Sequence, residues 1–180
     1  MKAVFLDQNS LDQNDLDFTP LANIFDELKL YPKTQADEVL NRIQNADVVI
    51  SNKVVLDADT IRQCKNLKLI LISATGTNNV DLVQARQQGI VVCNCQAYGT
   101  SAVAQHTLTL MLALATSLLP YHKAVQAGEW NNATQFCLLD FPIIELAGKT
   151  LGILGYGELG KAVAKLAEAF GMTVIVGVLP

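Results

Sequence analysis

The sequence predicts an α/β protein built on parallel sheets. Short β-branched runs alternate with amphipathic stretches throughout its first half, and only a few polar or glycine-containing residues separate one from the next. Parallel strands need a crossover between each pair, and helices in those crossovers cover both sheet faces. Further on, a Gly-x-Gly-x-x-Gly run joins a strand-like stretch to a helix-like one, so the same alternation resumes there.

In order along the chain, the first strand is read at Lys2–Leu6. Thr19 followed by Pro20 is an N-cap with proline at the first helical position, and Leu21, Ile24 and Leu28 fall on one face of the helix that follows. Thr34 opens the next helix, where Ala36, Val39, Leu40 and Ile43 recur at i, i+3, i+4 and i+7. Strands follow at Asp47–Ser51 and Leu67–Ser73, then a helix from Val80 to Gln88 that Gly89 closes, then a strand at Ile90–Cys93. A helix capped by Ser101 runs to Leu119, is apolar nearly all round and is stopped by Pro120, so it is expected to lie buried between two larger bodies. Residues 121–146, with Gly128, Trp130 and Asn131-Asn132, have the composition of an irregular surface excursion. The expected domains are 1–99 and 100–180, hinged at Tyr98–Thr100, because hinges sit at element ends.

Composition narrows the function. With 180 residues, 51% hydrophobic and 17% charged, the chain can bury a sizeable core. A net charge of -4 leaves no basic stripe for nucleic acid. Met1 to Asp7 is too short an apolar run for a signal peptide, and Leu108–Leu119 falls well short of the ~20 residues of a membrane span. A cytoplasmic protein without a nucleic-acid or membrane partner is expected. Cys64, Cys93, Cys95 and Cys137 then read as reduced, mostly buried thiols. Cys93-Asn94-Cys95 has no second ligand cluster at zinc-like spacing and is read as strand, not as a metal site.

The segment from Lys149 to Gly171 is the most informative. Leu151–Leu154 is a buried strand, Gly155-Tyr156-Gly157-Glu158-Leu159-Gly160 follows without a gap, and Leu159, Ala162, Val163, Leu166 and Phe170 form the stripe of the next helix. Gly155 makes the strand-to-helix turn, Gly157 lets a pyrophosphate approach the backbone, and Gly160 lets the helix pack on the strand. The free N–H groups and positive end of the helix face the phosphates. An acidic residue for the ribose hydroxyls is expected about 20 positions further on, but Val178 stands there and no acid follows Glu168. Either ribose recognition is supplied differently or the last residues before Pro180 are not those of an intact enzyme. Earlier, Thr75-Gly76-Thr77 follows a buried strand and precedes a helix capped by Asn78 or Asn79. Consecutive free N–H groups at the carboxyl end of a parallel sheet make an anion site.

Three blocks together resemble the D-isomer-specific 2-hydroxyacid dehydrogenases. They are Ser73–Asp81; Asn94 with Ser101–Thr107, where the family usually has Glu at the position of Gln105; and Ile144–Gly160. The resemblance covers the whole chain, and Phe136–Leu146 looks most like the glycerate dehydrogenase or hydroxypyruvate reductase branch. It implies a flavodoxin-like substrate domain followed by the first strand, helix and strand of a Rossmann domain. It implies that Thr75, Gly76 and Thr77 hold the substrate carboxylate, and that Gly155, Tyr156, Gly157, Glu158, Leu159, Gly160 and Val103 hold NAD, with NADP open. It implies a small 2-hydroxy or 2-keto acid substrate and a homodimer for the full-length family.

In that family an arginine polarises the carbonyl and a His–Glu pair moves the proton, all from the later cofactor domain. This chain has no Arg after Arg86 and no His after His122, so no catalytic residue is assigned. His106 is read as helix packing and His122 as surface. The chain therefore reads as a fragment, a truncated reading frame or an engineered piece, inactive alone. Two alternatives stand beside this: a non-catalytic or regulatory chain that keeps both anion loops, and another two-domain nicotinamide enzyme such as alanine dehydrogenase, against which Ser73–Asp81 argues.

Overall fold

The computed structural model describes residues 1–12 and 14–177. The chain divides into two compact units, Met1–Gln96 and Ala97–Pro180.

Unit 1 is a five-stranded, all-parallel sheet. Its elements in chain order are β1 (Lys2–Phe5), α1 (Thr19–Ala22), β2 (Glu27–Leu30), α2 (Val39–Ile43), β3 (Val48–Ser51), α3 (Ala58–Gln63), β4 (Leu69–Ile72), α4 (Leu82–Gln87) and β5 (Val91–Asn94). The spatial order is β2-β1-β3-β4-β5, the flavodoxin-like arrangement. Alternation along the strands sorts side chains to two faces. Val4, Leu6, Val49, Ile70 and Ile72 meet Val39 and Ile43 of α2, Ile61 of α3 and Ala85 of α4 in the main core. Ala3, Phe5, Val48 and Ile50 face the other way, against Phe18, Leu21 and Phe25.

Several expectations are corrected here. The helix after Pro20 ends at Ala22, and Glu27–Leu30 is strand β2. Leu21, Ile24 and Leu28 have helical spacing, yet Ile24 is exposed and Leu28 packs against the second core from the sheet edge. Thr19 lies inside α1, whose N-cap is Phe18. Thr34 is not a cap; its buried hydroxyl bonds to Leu6 O and accepts from Arg42 Nη1 at 2.7 Å. The capping box belongs to Gln35 and Glu38, and Ala36 is exposed. Helix α3 was not anticipated. Asp57 caps it by accepting from Thr60 N at 2.8 Å, and that amide holds the Asp57 carboxyl below the usual range. The cap is therefore in place at neutral pH and is lost as acid titrates the depressed group. Asp81, not Asn78 or Asn79, caps α4, and Gly89 ends it with φ +72°.

Unit 2 contains α5 (Thr100–Ala115), α6 (Leu118–Gln126), α7 (Glu129–Asn132), β6 (Thr150–Leu154), α8 (Glu158–Ala169) and β7 (Thr173–Gly177), with β6 and β7 parallel. Pro120 does not stop a helix. Ser117, at φ +49°, breaks α5 from α6 with a 62° bend, and Pro120 sits in the first turn of α6, where its missing N–H costs nothing. The excursion at 121–146 is accordingly helical as far as Asn132. Beyond it, Tyr121 Oη donates to Phe141 O at 2.7 Å and its ring meets Phe141 edge-on.

Helix α5 is not buried as expected. Ala104, Leu108 and Ala115 are, but Val103, Leu110 and Leu114 are exposed, Leu114 by 81%. Within the unit α8 covers only one side of α5, leaving a groove of about 540 Å³ lined by Ala104, Leu108, Leu112, Leu166 and Phe170. His106 is exposed rather than packed, and so is His122. No single helix among the described residues is long and apolar enough to cross a membrane.

Only one thiol matches the expected burial. Cys64 is buried, Cys137 is half-buried, and Cys93 and Cys95 are exposed. Burial pushes the Cys64 thiol up. A water-soluble maleimide should modify Cys93 and Cys95 in the native chain and reach Cys64 only on unfolding, because thiolate character and access control reactivity. Native modification at Cys64, read by peptide mass mapping, would contradict this packing.

Candidate functional site

The glycine loop of unit 2 is built from close packing. β6 ends at Leu154, and Gly155 turns the chain with φ +87°, a conformation that costs a side chain with a Cβ about 1 kcal/mol or more. Gly155 N donates to Gly177 O at 3.2 Å, which ties the turn to the end of β7. A Cβ on Gly160 would overlap Gly155 O and come within 3.3 Å of Ile153 Cγ2, so glycine there is required by the fold alone. Ala164 and Ala167 continue this small-residue face and are buried. The stripe read from sequence lies to one side, with Ala162, Val163 and Leu166 half-buried and Leu159 and Phe170 exposed.

Gly157 is different. It is the N-cap of α8 at φ -78°, which any residue can adopt, and a Cβ there meets nothing within 4 Å. Among the described residues no packing or backbone demand calls for glycine at 157, and the space beside it is open. Gly157 brings no side-chain acceptor to the first turn of the 12-residue α8, so its leading N–H groups face that space uncapped. Tyr156, Glu158 and Leu159 are exposed around it, and Lys161 Nζ lies 6.0 Å from the Tyr156 ring. A cradle open to backbone approach at a helix N-terminus fits a dinucleotide pyrophosphate. Val103 belongs to the same unit, exposed in the first turn of α5. Val178 lies outside the described residues.

The other loop lies in unit 1, between β4 and α4. Its carbonyls are used inward: Asn94 Nδ2 donates to Thr75 O at 2.6 Å, Cys95 N to Ala74 O at 3.0 Å and Val80 N to Thr77 O at 3.0 Å. Among the described residues none accepts from the N–H groups of Thr75, Gly76 and Thr77. Thr75 and Gly76 are exposed and Thr77 is half-buried. Three successive unengaged amides at the carboxyl end of a parallel sheet can receive an anion. Sequence reasoning missed what holds this loop: Asn79, buried, donates through Nδ2 to Val54 O at 3.0 Å and accepts at its own carbonyl from Leu56 N at 2.7 Å. No three His, Cys, Asp or Glu among the described residues could hold a metal ion.

The sequence profile of the D-isomer specific 2-hydroxyacid dehydrogenase catalytic domain matches residues 4–174. The chain belongs to this family. As a D-2-hydroxyacid dehydrogenase family chain, it is 46% identical over 175 residues to the glycerate dehydrogenase of Methylorubrum extorquens, covering 97% of this chain and 54% of that protein. It is 37% identical over 178 residues to the hydroxypyruvate reductase of Blautia hydrogenotrophica, covering 97% and 55%. The D-lactate dehydrogenase of Aquifex aeolicus, solved complexed with NAD and lactic acid, superposes with a TM-score of 0.79 at 27% identity, covering 97% of this chain and 50% of that one. The chain thus spans about half the length of the curated relatives it matches.

Proposed function

We propose that these residues are the substrate- and dinucleotide-binding part of an NAD(P)-dependent oxidoreductase interconverting a D-2-hydroxy acid and its 2-keto acid, of the D-glycerate, hydroxypyruvate or glyoxylate type. The observation that carries this is Gly157, a glycine with no internal reason to be one, set at the uncapped end of α8. In this reading residues 1–99 serve the acid and residues 100–180 the cofactor. Thr75, Gly76 and Thr77 hold the substrate carboxylate through their backbone amides. Gly155, Tyr156, Gly157, Glu158, Leu159 and Gly160 take the pyrophosphate, with Val103 beside it. The nicotinamide, when bound, supplies or accepts the hydride. The names of the relatives support the substrate class, and the NAD complex of the Aquifex enzyme supports the cofactor. Exposed unpaired Cys93 and Cys95 support a reducing, cytoplasmic setting, and the apolar exposed Leu110 and Leu114 support self-association as a homodimer.

Within these 180 residues no Arg follows Arg86 and no His follows His122, so the arginine and histidine that the family resemblance places later in the cofactor domain are not among them. We therefore expect the 180 residues alone to bind NADH but to oxidise none of it with hydroxypyruvate, glyoxylate or pyruvate. Losing a single electrostatic donor at a developing oxyanion costs about 100- to 1000-fold in turnover, and here the proton donor is missing as well. Loss of NADH absorbance at about 1 per second or faster with any of the three acids would show that catalytic groups lie within these residues.

A further inference from the structure

We infer that Asp7 is a positioning residue for the carboxylate loop. The inference rests on the reading that Thr75–Thr77 receive a carboxylate. In the order β2-β1-β3-β4-β5 the chain reverses its direction of travel across the sheet between β1 and β3. Open parallel sheets receive ligands at the carboxyl ends of the strands flanking such a point. Here the chain places its own anion there. Asp7 follows β1, is 7% exposed, and accepts from Asn52 N at 2.9 Å through Oδ1 and from Lys53 N at 2.7 Å through Oδ2. Two successive amides closing on one carboxylate is how a loop binds an anionic ligand. Among the described residues no cation pairs with Asp7, so these amides carry its stabilisation.

The turn that Asp7 grips leads directly to the other loop. Ser51 Oγ accepts from Val54 N at 3.0 Å, Val54 O accepts from Asn79 Nδ2 at 3.0 Å, and Val80 N, next along, donates to Thr77 O at 3.0 Å. The switch point is thus filled from within, and the ligand amides are offered one strand over, at the end of β4. Asp7 touches no substrate. It fixes the turn after β3, which fixes Asn79, which fixes where the Thr75–Thr77 amides stand. A buried carboxylate is costly unless bonded, so this network is all-or-none in character.

The test uses the whole 180-residue chain and oxalate, a mimic of a 2-keto acid, followed through the backbone amide signals of Thr75, Gly76 and Thr77. Asp7→Asn keeps the shape but turns an NH₂ toward an amide donor. It should weaken oxalate about tenfold or more, since small displacements of binding groups are that expensive. It should also speed hydrogen exchange at Leu56 and Val80. Asn79→Leu cuts the same path at its far end and should do the same; it decides the matter if Asp7→Asn does not fold. A merely structural role predicts a lower melting temperature with oxalate affinity unchanged in the folded fraction, and that result overturns the inference. If oxalate leaves the three signals of the parent chain unmoved, the carboxylate reading fails instead. The positioning link is then judged on exchange alone, and unchanged rates at Leu56 and Val80 in both variants overturn it.

Discussion

Gly157→Val is expected to abolish dinucleotide binding and leave unit 2 folded, whereas Gly160→Ala is expected to unfold it. The two glycines lie three residues apart but answer different demands. At 157 the backbone is extended and the Cβ position is empty, so valine fits the free chain at a cost of about 1 kcal/mol or less as a poorer N-cap. It then fills the space through which a pyrophosphate must reach the helix end. At 160 even a methyl group overlaps Gly155 O and presses on Ile153, and relieving that means lifting α8 off β6, about 3 kcal/mol or more. NADH fluorescence titration beside thermal denaturation separates the effects. A valine variant that binds NADH like its parent, or an alanine variant that melts like its parent, would defeat the corresponding half.

Leu56→Ala should be the most damaging single truncation in unit 1 for the carboxylate loop. Leu56 is fully buried, forms an isolated parallel bridge with Val80, donates to Asn79 O and accepts from Asp81 N at 3.0 Å. The backbone bonds survive the substitution, but the side chain that anchors this segment in the main core does not. Removing it costs about 3 kcal/mol, within the range for buried leucines that leave a cavity. Urea denaturation should show a lower midpoint with an unchanged slope. A loss under about 1 kcal/mol would mean that the neighbourhood collapses into the gap and that this packing does not brace the loop.

The glycine loop was legible because everything that makes it is local: spacing, a strand before and a helix after. The same holds for β3, β4 and β5, whose short apolar runs have polar or glycine residues close on both sides, and for β1, whose apolar run ends at Asp7. β2 was missed because Leu21, Ile24 and Leu28 imitate a helical face, while the alternation in Glu27-Leu28-Lys29-Leu30 lasts only four residues. Helix α3 is six residues with one buried side chain, Ile61, too short for a period to show. Pro120 misled because proline marks a first turn as readily as an end, and the break at Ser117 comes from a left-handed residue without a distinctive sequence. Burial of α5 was inferred from composition, which says that a surface is apolar but not what lies against it. The support of the carboxylate loop was illegible for another reason: Asp7 and its partners are 45 and 46 residues apart, so only the folded sheet brings them together.

The placement of β1 also bears on how unit 1 comes into being. Strand β1 pairs with β2 in the register Lys2↔Glu27 and with β3 in the register Ala3↔Val48, so it lies inside the sheet with neighbours on both sides. A ribosome-bound chain can pair β1 on one side once β2 has emerged, but its other side stays open until the segment near residue 51 follows, some seconds later at about 5–20 residues per second. Parallel pairings across such separations are slow to close. During that interval the β3-facing edge of the apolar run Ala3–Leu6 is open to any other strand edge, so changes that keep it exposed longer should affect the yield of folded protein far more than equal changes at the loops joining the later strands.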